Sequence, residues 1–159
     1  MRILRAKSER TQKPTAPTHD GVDGYVLEKQ IGHLLRRAHQ RASAIFAANI
    51  GEHRLTPVQF AALAKIYDAG AVSQNKLGRQ TAMDPATMQG VISRLAHRGY
   101  IERHADPKDR RRTMLRLTPA GETAVLYSIP RGKKITRDTL APLTKSERDV
   151  LLKLLSKLG

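Results

Sequence analysis

Cysteine and tryptophan are absent from this 159-residue chain, and aromatic residues are scarce, with two Phe and four Tyr. Without cysteine there is no disulfide, no thiolate nucleophile and no thiol-based switch. Six histidines remain (His19, His33, His39, His53, His97 and His104), but none falls in an HExxH motif or beside cysteines at ligand spacing. No metal and no cofactor is therefore expected. The glycines form no phosphate-binding loop, GxSxG elbow or dinucleotide fingerprint, which argues against an enzyme. No apolar run approaches the ~18 residues of a membrane span. The N-terminus lacks the apolar stretch of a secretory signal, so a cytoplasmic location is expected.

Acidic residues are also few: 14 Asp and Glu against 29 Lys and Arg, a formal charge of +15. Such an excess attracts a polyanion, and counterion release makes nucleic acid the natural partner of a soluble basic domain. A membrane surface would need a helix with one basic face opposite an aromatic-rich one, and none is found. With so few rings the core must be aliphatic. Long stretches free of Gly and Pro favour helix over sheet.

Residues 1–24 carry Arg2, Arg5, Lys7, Arg10 and Lys13 among Pro, Gly and Thr without periodicity, and read as a flexible basic arm. From Tyr25 to about Asn49, apolar residues recur every three or four positions, predicting a first helix of roughly 37 Å. Thr56-Pro57 caps and starts a second helix that ends at Gly70, with Phe60, Leu63, Ala64 and either Ile66 or Tyr67 inward. Ser73 caps a short third, from Gln74 to about Thr81, with Leu77 inward. Asp84-Pro85 opens a fourth, to about Arg98, whose buried stripe is Met88, Val91, Ile92 and Leu95. Two short strands, Tyr100–Arg103 and Thr113–Leu117, flank a charged turn. Thr118-Pro119 opens a fifth helix that Pro130 and Gly132 are expected to kink or interrupt. The Thr144/Glu147 capping box opens a last one, with Val150, Leu151, Leu154, Leu155 and Leu158 apolar.

Helix, tight turn, helix and two-stranded hairpin make a winged helix-turn-helix. The fold class expected is mainly α with a small β-wing, plus a helical dimerisation region. The face of the fourth helix opposite its buried stripe carries Pro85, Ala86, Thr87, Gln89, Ser93, Arg94 and His97. Short or amide side chains near a helix N-terminus suit base edges: Thr87 a thymine methyl, Gln89 an adenine. Arg94 and His97 are better placed for phosphates, and Ser73 joins the candidate DNA-binding set.

The block TAMDPATMQGVISRLAHRGYIERHADPKDRRRTMLRLTPAG resembles the recognition helix, wing and following helix start of the multiple-antibiotic-resistance-regulator (MarR) family. Its DPxDRR turn followed by LTPAG is the specific part. A weaker resemblance covers about Tyr25 to Leu158. It implies that Arg111 at the wing tip enters a minor groove, where negative potential concentrates, with Asp109 ordering its guanidinium and Arg110 and Arg112 flanking onto phosphates. It also implies one domain over 25–159, with a DNA-binding lobe at 56–117 and dimerisation helices at 25–51 and 118–158. A homodimer would then face an inverted repeat in operator DNA.

The family resemblance further implies a ligand-responsive regulator, a repressor of an aromatic-compound catabolic or efflux operon. Its effector, a small aromatic carboxylate or an aromatic acyl-coenzyme A thioester, would sit in a cleft walled by the first, second and fifth helices. Arg36, His39, Phe46, Phe60 and Tyr67 are the candidate contacts. The charge alone leaves open a sequence-neutral architectural nucleic-acid-binding protein, which would not prefer one duplex sequence over another.

Overall fold

The computed structural model describes residues 24–106 and 109–158; the side chains of Arg110 and Arg111 lie outside that description. The expected N-terminal arm, apart from Gly24, lies outside the described residues. The chain divides into two compact units, one up to Leu35 and one from Arg36.

In the first unit, a single 3-10 turn (Leu27–Lys29) precedes Gln30, whose backbone is extended at φ −81°, ψ 131°. Helix α1 (Ile31–Asn49, 19 residues) starts only after it. The expected helix start at Tyr25 is corrected: the chain turns at Gln30 instead. The reason is local. Gln30 donates its side-chain amide to the Val26 carbonyl, and its own carbonyl accepts the Leu34 N–H, the first bond of α1. Ile31, Leu34 and Leu35 are exposed.

The second unit continues with α2 (Pro57–Ala69), β1 (Val72–Ser73), α3 (Gln74–Gln80), α4 (Pro85–His97), β2 (Ile101–Asp106), β3 (Asp109–Leu117), α5 (Pro119–Thr139) and α6 (Lys145–Leu155). Each helix from α2 onward begins as its sequence demands. Thr56 and Thr144 form capping boxes with Gln59 and Glu147, and Ser73, Asp84 and Thr118 accept backbone N–H groups of the first turn. Gly70 and Gly99, both at positive φ, lie just beyond α2 and α4.

The core gathers Leu63 and Ile66 of α2, Leu77 of α3, the α4 stripe, Leu115 of β3 and Val125 of α5, each 0–2% exposed. Burying each such side chain contributes about 1.5–3 kcal/mol before conformational entropy is charged against it. Ile66 is the inward residue of α2 and Tyr67 faces out, 38% exposed.

The three strands form an antiparallel sheet in the order β1-β3-β2. Both wing strands are longer than their expected spans, and β1 was not expected at all. Val72 and Ser73 pair with Leu115 and Met114, so the residue that caps α3 also belongs to the sheet. The pairing of β2 with β3 shifts between Ala105 and Asp106, setting Asp106 opposite Asp109. Charged residues that read as a turn are thus part of the ladder. An outward-pointing hairpin has few apolar contacts, so hydrophobic alternation does not mark its length.

Helix α5 also differs from expectation, running unbroken through Pro130 and Gly132. Pro130 removes one backbone bond at the Leu126 carbonyl. One residue along, Arg131 Nη1 donates to the Tyr127 carbonyl at 2.8 Å and its guanidinium lies over the Tyr127 ring, 3.4 Å from the centroid. Gly132 is a contact glycine: a Cβ there would stand 2.9 Å from the Phe60 ring of α2. Gly121 is tighter still, since a Cβ there would lie 1.9 Å from the Tyr100 carbonyl oxygen.

Two substitutions in α5 should move stability in opposite directions. Gly121→Ala forces backbone against backbone and is expected to destabilise by about 1–3 kcal/mol or more. Ser128→Ala removes a fully buried hydroxyl without a described hydrogen-bond partner and should stabilise by about 1 kcal/mol. Urea unfolding of both variants checks the pair. Equal midpoints would refute the packing described here.

Candidate nucleic-acid interface

Burial of Met88, Val91, Ile92 and Leu95 turns the other side of α4 outward: Pro85, Ala86, Thr87, Gln89, Ser93, Arg94 and His97 are all exposed. The helix enters through a dense cap. Asp84 Oδ1 accepts the backbone N–H groups of Ala86 (3.0 Å) and Thr87 (2.9 Å), while the Thr87 hydroxyl donates to Oδ2 at 2.5 Å. Two consequences follow. The first amides of α4 are spent on Asp84, so its N-terminus is not an open anion site. The hydroxyl proton of Thr87 is committed as well, leaving its methyl as the uncommitted end.

Arg94 runs back along α4 toward its N-terminus. A Cβ at Gly90 would meet its Nη2 at 3.3 Å, so the glycine leaves room for the guanidinium. The cation therefore stands one turn nearer the N-terminal end than its position in the chain implies. Gln89 is joined to α3, its Oε1 accepting from Gln74 Nε2 at 3.0 Å.

Between α3 and the wing lies a polar cleft of about 420 Å³, lined by Ser73, Gln74, Asn75, Arg79, Arg112 and Thr113. Ser73 is buried, and its hydroxyl accepts the Lys76 N–H. Arg112 is exposed and its Nε stands 3.8 Å from the Asp106 carboxylate, a partner that sequence reasoning did not name. It also overlooked Gln74, Asn75 and Arg79. Asn75 and Arg79 stand opposite the inward Leu77, a signal that seven residues make weak, whereas Gln74 lies on the Leu77 side. Asp109 is exposed on β3; Arg110 and Arg111 are placed there by backbone alone.

A second cleft, of about 300 Å³, opens among α1, α2, α5 and α6, lined by His39, Ser43, Phe46, Pro57, Ile135 and Leu152 among others. His39 Nε2 lies 3.4 Å from the Ser43 hydroxyl. Phe60 stands behind Phe46, ring centroids 6.1 Å apart. Of the five effector candidates, His39 and Phe46 line this cleft, Phe60 backs it, and Arg36 and Tyr67 do not line it. Its described lining holds no lysine or arginine. Among the described residues, no group of three or more His, Asp or Glu could hold a metal ion. No described helix is long and apolar enough to cross a membrane.

An exposed helix beside a β-wing, seated on a buried aliphatic core, defines a winged helix-turn-helix protein. The MarR family model matches residues 55–113. The transcriptional repressor NicR of Pseudomonas putida is 36% identical over 148 residues, 92% of this chain and 94% of NicR. A probable transcriptional regulator from Pseudomonas aeruginosa is similar in structure, with a TM-score of 0.81 and 46% identity, covering 84% of this chain and 100% of that one. BpsR of Bordetella bronchiseptica, whose DNA binding is regulated by 6-hydroxynicotinic acid, has a TM-score of 0.80 and 41% identity over 84% of this chain and 96% of its own. The chain belongs to the MarR family, and it is a transcriptional regulator of that type.

The Asp84 cap should give the interface a measurable pH dependence. The Thr87 hydroxyl, then the Thr87 and Ala86 backbone, hold its carboxyl below the ordinary value of 3.8. A lowered folded-state pKa stabilises above the unfolded value and is lost as pH falls through the folded one. The stability difference between wild type and Asp84→Asn should thus be constant near neutrality and shrink below pH 3.8. Thermal melts from pH 7 to 3 measure it. A difference independent of pH would show that the charge plays no part in the cap.

Proposed function

We propose that this protein is a homodimeric, sequence-specific DNA-binding regulator that releases an inverted-repeat operator when a small aromatic carboxylate occupies the α1/α2/α5/α6 cleft. The observation that carries the reading is the outward face of α4, short and amide-bearing at its start and cationic further along. It stands beside the wing strands β2 and β3, where the sequence from Asp106 to Arg112 reads DPKDRRR. Helix α4 would enter the major groove and the wing the adjacent minor groove, with Arg111 inserted and Asp109 ordering it.

Dimerisation is supported by apolar side chains left exposed at each end of the described chain. They are Ile31, Leu34 and Leu35 on α1, and Val150 (55%), Leu154, Leu155 and Leu158 (72%) in and after α6. By this reading residues 25–51 and 118–158 form the dimer base and 56–117 the DNA-binding lobe.

For the effector, Phe46 offers a ring face, and His39 with Ser43 offers polar groups for a carboxylate. A volume of about 300 Å³ is at the lower end for small-molecule sites and suits a single-ring acid. The nucleotide of an acyl-coenzyme A thioester would lie outside it, with no cation in the described lining to hold its phosphates. The free acid is therefore preferred over the thioester. The regulation of BpsR by 6-hydroxynicotinic acid supports the same class. The cleft touches Pro57 at the start of α2 and Ile135 late in α5, so a ligand there can favour a lobe spacing that does not match the groove repeat.

Two measurements test this. In competition binding, a selected inverted repeat with half-sites about 34 Å apart should be preferred over random duplex by about 10³ or more. Arg111→Ala should weaken operator binding by about 1–3 kcal/mol, and Asp109→Ala by less. Equal affinity for random duplex would make the protein a sequence-neutral architectural binder. In ligand titrations with 6-hydroxynicotinate and related single-ring acids, operator DNA should weaken ligand binding about tenfold or more, because coupling is reciprocal. Phe46→Leu and His39→Ala should lose that effect while still binding operator. Ligand affinities unchanged by operator would remove the acid as the signal.

A further inference from the structure

Gln74 and Gln89 join the two helices of the helix-turn-helix: Gln74 Nε2 donates to Gln89 Oε1 at 3.0 Å. Gln74 is the first residue of α3, directly after its Ser73 cap, and Gln89 stands early on the outward face of α4. Gln89 is exposed and Gln74 half-buried. An unrestrained glutamine reads adenine with both halves of its amide, the oxygen accepting from N6–H and the nitrogen donating to N7. That requires oxygen and nitrogen to face the base together. Here the oxygen is engaged by Gln74 of α3, and no described hydrogen bond engages the NH2 group.

We propose that Gln74 sets the base preference of Gln89. With its oxygen held, Gln89 presents two N–H donors and reads a base edge with paired acceptors, the O6 and N7 of guanine, in place of adenine. The inference rests on the reading above that α4 enters the major groove. Residue 74 thereby acts as a selector without touching the base. An amide at 74 can donate, as it does here, whereas a carboxylate can only accept. Gln74→Glu would turn the Gln89 amide over, its nitrogen toward residue 74 and its oxygen toward the groove. That register reads a donor, adenine N6 or cytosine N4.

Selection from a duplex pool randomised across both half-sites, with full-length wild type and three variants, tests the proposal. Wild type should select guanine at one position per half-site, and Gln89→Ala should relax that position. Gln74→Ala should move it toward adenine by about tenfold. Gln74→Glu should move it to adenine or cytosine, while its added charge weakens binding across all sequences. Thermal melts matching wild type confirm that these substitutions leave the fold intact. If Gln89→Ala relaxes a position that both Gln74 variants leave at the wild-type base, the selector role is overturned and the groove reading stands. Adenine selected by wild type at that position overturns it as well. If Gln89→Ala relaxes no position, the reading of α4 in the groove fails at this residue, and the proposal fails with it.

Discussion

Burying Met88, Val91, Ile92 and Leu95 decides which side of α4 meets solvent, and the candidate DNA-facing surface depends on that choice. The four side chains are at most 2% exposed and contact a core drawn from α2, α3, β3 and α5. A helix has one rotational setting that buries a stripe of this width. Rotating it by one residue would expose leucine and bury glutamine or arginine, at several kcal/mol. The polar face is therefore presented rigidly because the apolar face has nowhere else to go.

The wing is held at its base by close backbone contacts as well as by side chains. The Tyr100 carbonyl accepts the Thr118 N–H, the Thr118 hydroxyl donates to the Gly99 carbonyl at 2.5 Å, and Gly121 lets α5 close onto Tyr100. Around this junction His53 packs edge-on against both Tyr100 and Tyr127, and Arg98 donates to the His53 carbonyl and to the Tyr100 hydroxyl. The end of α4, the start of β2 and the body of α5 thus meet at one point. A displacement of α5 has a short, stiff route to the wing through atoms already in contact.

Helix α5 also reaches the cleft among α1, α2, α5 and α6. Near its C-terminus it contributes Ile135 to the cleft wall, and the Asp138 and Thr139 carbonyls there accept from Arg41 of α1 at 3.3 Å each. A guanidinium on the last carbonyls satisfies groups that a helix end leaves unpaired. One helix therefore touches the wing base at one end and the cleft at the other. An unbroken α5 matters for that reason: a chain interrupted at Pro130 would lose the connection.

The sequence by itself determined the starts of α2 to α6, the inward stripe of α4, the winged architecture and the family, because each is written locally. Caps such as Thr56-Pro57 and Asp84-Pro85 act within four residues, and the three-to-four periodicity acts within two turns. Tertiary structure decided the rest, because those features join residues far apart in the chain. Strand β1 exists only where Leu115 and Met114 come alongside Val72 and Ser73. Gly132 and Pro130 read as helix breakers, yet α5 runs through both, with Gly132 set against the Phe60 ring. His39 and Phe46 were legible as cleft candidates from their residue types, whereas Arg36 and Tyr67, chosen on the same grounds, lie outside the cleft lining. Residue type states what a side chain can bind; the packing of α1, α2, α5 and α6 states what it faces. The Gln74–Gln89 bond is the plainest case, because two ordinary surface amides fifteen residues apart become one unit only when α3 and α4 are folded together.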